Sequence, residues 1–470
     1  MPQFSLLSPQ EVQALHHASL RILSGTGFVM THAGARRIFT DSGARLNGDR
    51  VLLPPDLVEK CIASAGKKVS VKGCGGAVKT LGDGGLYFHN LGGARDVLDS
   101  ASGTRRYAAV QDVRDATRLL DALENCNTIT PFFTPRDVPG ALMSLAMYRH
   151  ALPFTTKPLQ GPGVQYAAEV KYAVRMAEVI GAPGEVLTLS LSPVSPLTLP
   201  DHEAEAIIAI AEAGITFAPL PCPTAGTTAP LSIAGAIAQQ NAENLLALVL
   251  AQLVYPGLPI AYCGRLAMME PRTGISVWGG LELGLASAGT VQIGHHYGFP
   301  VNVYGFSTNA HTLDVQNGFE RGLNALIPAL AGADELSGIG EMEAGVSGSF
   351  AQMVADNEFA SSILRARKGF EANDDTLAVE VIAAAMNGSR NFLGQKHTMK
   401  HLKSGEVLLT RLAERGTWEN WESEGRKGFL ERTQAEADRI LREHVVPPLD
   451  IAQEKELDAV MAAAEKELVK

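Results

Sequence analysis

From residue 86 onward, short strand-like runs alternate with amphipathic stretches, and this alternation restricts the fold more than any other feature. The runs are "LYFH" at 86, "TITPFF" at 128, "PFTTKPL" at 153, "VLTLSL" at 186, "ITFAPL" at 215, "PIAYCG" at 259, "VNVYGF" at 301 and "ELSGI" at 335. Between them lie stretches of helical period such as "VQDVRDATRLLDAL", "HEAEAIIAIAEAG" and "SIAGAIAQQNAENLLALVLAQLV". Apolar residues recurring every three to four positions form one face of a helix, whereas short continuous runs suit strands buried on both faces. Eight strands, each followed by a helix, is the count that closes a parallel (β/α)8 TIM barrel. An open doubly wound sheet is the alternative, but no G-x-G-x-x-G turn follows the first run.

The flanks differ from this pattern. Residues 1–84 read as an N-terminal α/β extension. It opens on "LLSPQEVQALHHASLRILSGTG", with Ser8 and Glu11 as a capping box and Pro9 at the first helical position, followed by a helix at "PPDLVEKCIASA" and a strand at "KKVSVKG". Residues 85–400 hold the barrel. Residues 401–470 read as a charged, helical C-terminal arm for packing or oligomerisation, and a homo-oligomer is expected.

Net charge of −10 argues against nucleic acid or an anionic membrane as partner, since both require basic surface. Five scattered cysteines without a C-x-x-C pair read as free thiols. The most apolar stretch, "NLLALVLAQLV", is too short to span a bilayer, and the N-terminus lacks the pattern of a secretory signal, so a cytoplasmic protein is expected.

In such a barrel the strand-to-helix loops carry the site. Here they are rich in Gly, Pro, Ser and Thr. The loop after the seventh run, "GFSTNAHTLD", is more polar than a short turn requires; Thr312 or Asp314 would cap the next helix and His311 would touch a ligand. Aromatic residues recur near strand ends: Phe88, Phe132, Phe133, Tyr262, Tyr304 and Phe306, with Trp278 opening a helix. They would pack the barrel or form a cage for an alkylammonium ion. Arg95, Arg265 and His311 could hold a carboxylate on the same molecule, with His89 beside them, and Glu341 and Glu343 could balance the cation or cap a helix. No metal is expected: His397 and His401 share a helical face, but the Glu of an H-E-x-x-H site is missing. His16 and His17, on the first helix and remote from the barrel loops, read as surface or interdomain residues, and His295 and His296 as a helix end.

The stretches "LSPQEVQALHHASLRILSGTG", "VLDSASGTRRYAAVQDVRDATRLLDAL", "LAQLVYPGLPIAYCG", "STNAHTLDVQNGFE", "DNEFASSILRARKGF" and "HTMKHLKSGEVLLTRLAERGTWENW", in this order, make the chain resemble the trimethylamine methyltransferase family of corrinoid-dependent methyltransferases. The resemblance implies a TIM barrel. It also implies methyl transfer from an amine to the Co(I) corrinoid of a separate protein docking over the mouth, since the corrinoid-binding D-x-H-x-x-G pattern is missing here. Members acting on trimethylamine carry pyrrolysine. This chain has only standard residues and so resembles the branch acting on quaternary amines such as glycine betaine, with "GIGEMEAGVSGS" as the pyrrolysine-equivalent region. The resemblance leaves the catalytic residues unassigned. Two other readings stay open: an amine-binding barrel without turnover, and a lyase or aldolase using Lys157 as a Schiff-base amine.

Overall fold

The computed structural model describes residues 4–469; residues 1–3 of the N-terminal section and residue 470 of the arm lie outside it. The first helix, α1 (Pro9–Arg21), starts at the expected capping box, with the Glu11 carboxylate accepting from the Ser8 backbone at 2.7 Å. Its apolar face, Val12, Leu15 and Leu20, is buried. A three-stranded antiparallel sheet (Phe28–Val29, Arg45–Asn47, Arg50–Leu52) and the helix Pro55–Ser64 complete this layer.

A hairpin follows, β1 (Val69–Lys72) and β2 (Val78–Leu81), and then the first repeating strand, β3 (Tyr87–Asn90). The remaining regular parallel strands are β4 (Thr188–Leu191), β5 (Thr216–Pro219), β6 (Tyr262–Gly264), β7 (Val301–Tyr304) and β8 (Glu335–Ile339). β6, β7, β8 and β3 form one parallel sheet in that order, and β4 pairs with β5. Single parallel bridges link the other neighbours: His89 to Thr128, Ile129 to Leu159, Gly163 to Ser190 and Phe217 to Ile260.

The second and third runs therefore contribute bridges rather than ladders. Pro131, Pro158 and Pro162 remove backbone donors that a ladder needs. Leu152–Phe154 is a 3-10 turn, so "PFTTKPL" becomes extended only near Leu159. "DSASGTRRY" is the tip and second strand of a hairpin between Asp96–Asp99 and Thr104–Tyr107.

Helices follow the strands as the periodicity predicts, including α2 (Asp201–Glu212), α3 (Ile233–Val254), α4 (Leu281–His296), α5 (Val315–Leu330) and α6 (Phe350–Lys368). α3 is buried over most of its surface because α1 covers its outer side; several of its buried polar groups are paired, while Gln240 Nε2 and Asn244 Oδ1 have no partner. Asn244 donates to the Cys263 carbonyl at 2.7 Å, and Glu243 accepts from Ser195 Oγ at 2.7 Å. Among the described residues, no helix is long and apolar enough to cross a membrane. The last helix, α7 (Ile451–Leu468), lies against the helix Ala167–Ile180, where Tyr172 donates to Glu467 at 2.7 Å.

Candidate active site

A cavity of about 1050 Å³ runs from the β1–β2 hairpin, past the inner faces of the strands, to the loops at their C-terminal ends. Strand alternation fixes its lining, because successive side chains point to opposite faces. His89, Ala218, Cys263, Asn302, Tyr304, Glu335 and Ser337 face inward, while Phe88, Tyr262, Val303 and Leu336 face the helices. The hairpin sends Val69, Val71, Lys79 and Leu81 into the opposite end and closes it.

The inner wall is unusually polar for a packed parallel sheet. Lys79 Nζ makes a short ion pair with Glu335, both fully enclosed. Burial would raise the Glu335 carboxyl, but the Lys79 charge and the bonds from Lys79 and Asn302 outweigh it and hold it below its ordinary value. Asn302 Nδ2 donates to Glu335 at 2.6 Å and to His89 Nε2 at 2.8 Å. His89 thus accepts on Nε2 and directs Nδ1 toward Thr130 Oγ1 at 3.4 Å, which in turn donates to Gln160 at 3.0 Å. Burial pushes the His89 imidazole down to about 4, so it is neutral at ordinary pH.

Arg265 stands at the end of β6 against this network. Its guanidinium donates to the Gly264 and Asn302 carbonyls at 3.0 and 3.1 Å and to Asn302 Oδ1, and lies 4.9 Å from the centroid of the Tyr304 ring. Arg265 is only 5 % exposed, yet among the described residues no carboxylate forms an ion pair with it. Trp278 packs beside Tyr304 at 5.7 Å between centroids and also lines the cavity.

A second unbalanced charge is Glu203, in the first turn of α2. Glu203 lines the cavity, one of its carboxyl oxygens is buried without a partner, and burial pushes the group up to about 7. Ala344 and Gly345 form part of the rim; Glu343 and Ala344 have φ of 53° and 57°, a left-handed conformation that costs about 1–3 kcal/mol per non-glycine residue.

The structure brings His89, Arg265, Tyr304 and Trp278 together at the cavity and places the other sequence candidates elsewhere. Phe88 and Phe306 pack on each other at 5.7 Å in the core, and the Tyr262 hydroxyl reaches Asn241 of α3 at 2.8 Å. An aromatic cage of all these residues is therefore not assembled: Phe88 and Tyr262 neighbour inward-facing residues and so point outward. Arg95 is at the surface, bound to Asp96 at 2.8 Å and lying over Tyr107. His311 is also exposed, pairs with Glu343 at 2.9 Å and does not line the cavity. Glu341 is buried behind the wall, accepting from Ser307 at 2.7 Å, and burial pushes it up to about 8.

The polar stretch after β7 is largely scaffold. Asp314 caps α5, Thr308 bonds Glu320, and Asn309 Oδ1 accepts from the backbones of Trp278 and Gly279 at 2.8 and 2.7 Å, which positions the indole. Lys157 donates to the Leu120 and Leu123 carbonyls at 3.1 and 2.6 Å, outside the cavity, which removes the basis for a Schiff-base role. Lys79, Asn302, Glu335, Gln160 and Glu203 were not singled out from sequence. The signal for two of them was present, since Asn302 is flanked by Val301 and Val303 in its strand and Glu335 opens a fully buried one.

Comparison with known proteins places this chain in a family. The trimethylamine methyltransferase (MTTB) family model matches residues 1–469. The trimethylamine methyltransferase MttB of Desulfitobacterium hafniense is 30 % identical over 94 % of this chain and 90 % of its own. That of Methanosarcina barkeri is 28 % identical over 99 % and 96 %. A glycine betaine methyltransferase of Desulfitobacterium hafniense is 26 % identical over 100 % and 98 %. The chain is a methyltransferase-family protein, a member of the trimethylamine methyltransferase (MTTB) family.

Proposed function

We propose that the parallel pairings close a (β/α)8 barrel, and that its cavity binds a quaternary amine carrying a carboxylate, glycine betaine-like, and presents one N-methyl group to the Co(I) corrinoid of a separate protein, releasing a tertiary amine. The observation that carries the substrate class is Arg265. A buried guanidinium without a carboxylate partner is costly unless an anion completes it, and a forked donor matches a carboxylate bidentately. Trimethylamine offers no such group.

The chain's own residues then have separable tasks. Asn302 orients Arg265, and the Lys79–Glu335 pair with neutral His89 holds Asn302. One face of Tyr304 already carries the Arg265 guanidinium, so Trp278 offers the ammonium its nearest free aromatic surface; cation–π contact contributes about 0.5–2 kcal/mol. Glu203 supplies negative charge, and a bound ammonium favours its ionised form. A quaternary ammonium releases a neutral amine without protonation, so no general acid is needed. The enzyme's work is orientation and exclusion of water. The corrinoid, when its carrier docks, supplies the cobalt nucleophile.

Calorimetric titration with glycine betaine, proline betaine, carnitine and trimethylamine tests the reading. Binding of a carboxylated quaternary amine with trimethylamine silent supports it. Preference for trimethylamine, or silence from all four, overturns it.

A further inference from the structure

Outside the cavity, a second constellation brings together residues far apart in sequence. The helix Lys396–Lys403 carries His397 and His401 on one face, with ring centroids 4.1 Å apart. The carboxylate of Asp375, from the short helix Asp374–Leu377, meets them: His401 Nε2 lies 3.4 Å from Asp375 Oδ2, and ligand atoms of the three residues lie within 4.8 Å of one another. The Glu of an H-E-x-x-H helix is missing, but tertiary structure supplies a third donor from 22 residues upstream of His397.

We propose that Asp375, His397 and His401 form a divalent transition-metal site, suited to zinc, that pins these two helices together, with solvent as the remaining ligand. Three observations support it. First, two metal bonds of about 2.0–2.1 Å at a tetrahedral angle set their donor atoms about 3.3 Å apart, which the His401–Asp375 separation matches. Second, His401 Nε2 is buried and has no hydrogen-bond partner. Its ring is therefore aimed at the carboxylate without being satisfied by it. Third, the segment lacks a core of its own. In the helices Asp374–Leu377, Val379–Asn387 and Lys396–Lys403, Ala385 alone is buried. Small units without enough apolar burial need a staple, and an imidazole–carboxylate set is one that zinc can provide.

The orienting contacts fit the same role. His397 Nε2 lies 2.9 Å from the Asp375 carbonyl, which fixes the ring against the short helix. Lys400 competes for the site: its ammonium contacts both Asp375 oxygens at 2.7 Å. Lys400 is 62 % exposed, so it can swing into solvent at little cost.

The test uses the full chain, stripped with a chelator and dialysed against Zn²⁺. Metal content is measured by mass spectrometry, affinity by competition with a chromophoric chelator, and tryptic cleavage is followed across residues 369–403. The proposal predicts one zinc per chain, protection of this segment by zinc, and loss of both in His397→Ala and His401→Ala. The main melting transition should be unchanged, since neither histidine belongs to the core. Lys400→Met should bind zinc a few-fold more tightly by removing the competing ammonium. The proposal is overturned if wild type holds no zinc above background, or if zinc persists in the histidine variants, which would place it elsewhere.

Discussion

At the scale of single residues, two unbalanced charges define what the cavity can hold. Arg265→Met keeps most of the side-chain volume and removes the fork. Hydrogen bonds to charged groups contribute about 1.5–3 kcal/mol, so the substitution should weaken binding of a carboxylated quaternary amine roughly 10- to 150-fold. Choline, which lacks the carboxylate, should be unaffected or bind better. Calorimetry with both ligands reads the difference, and an equal loss for both would remove Arg265 as the carboxylate anchor. Glu203 gives a pH dependence whose sign follows from its raised value of about 7. Below that pH the carboxyl is neutral and offers no counter-charge; above it the carboxylate attracts the ammonium. Affinity should therefore rise with pH through about 7, with proton release on binding at lower pH, and Glu203→Gln should flatten the profile. A profile unchanged in that variant would show that Glu203 does not face the cation. Residue-level roles were only partly legible beforehand. Phe88 and His89, or Tyr262 and Cys263, are neighbours in sequence and opposites in space, so strand-end position alone could not say which of each pair enters the cavity. Arg265 was readable as a carboxylate binder, but its lack of an ion-pair partner is a tertiary fact.

At the scale of elements, the β1–β2 hairpin closes the cavity and contributes Lys79 to its polar wall. Removing one partner of a fully buried pair leaves the other uncompensated, at a cost of about 3–5 kcal/mol. Lys79→Met should destabilise by that order, and the double change Lys79→Met with Glu335→Gln should recover much of it. Denaturant melts of the single and double variants give the coupling; additive losses would mean that Lys79 and Glu335 do not act as a pair. Periodicity identified the strands that run as ladders and most of the helices, because burial pattern and hydrogen bonding agree there. It overstated the second and third runs, where prolines interrupt the donors. The strand containing Val69 and Val71 was legible, but nothing local shows that it turns back and enters a cavity.

At the scale of the whole molecule, the terminal helix is tied to the repeating unit by Arg149, which bonds Glu454 and Asp458, the latter at 2.7 Å. Arg149 is buried while Asp458 is largely exposed, so solvent screening limits the loss in Arg149→Ala to about 1 kcal/mol. Its sharper consequence is local: hydrogen exchange in α7 should accelerate while the core strands stay protected. Because Leu468 lines the cavity, loosening α7 should also raise the KM for the amine. Unchanged exchange in α7 would mean that apolar packing alone holds the arm. The charged composition of this arm marked it as distinct, but not that its end reaches the cavity.

The most direct test of the account is a methyl-transfer assay with reduced corrinoid and its carrier protein, run in parallel with glycine betaine and trimethylamine. The account predicts stoichiometric demethylation of the betaine, none of trimethylamine, and loss of betaine turnover in Arg265→Met. Turnover of trimethylamine with the betaine untouched, or undiminished betaine turnover in Arg265→Met, would contradict it.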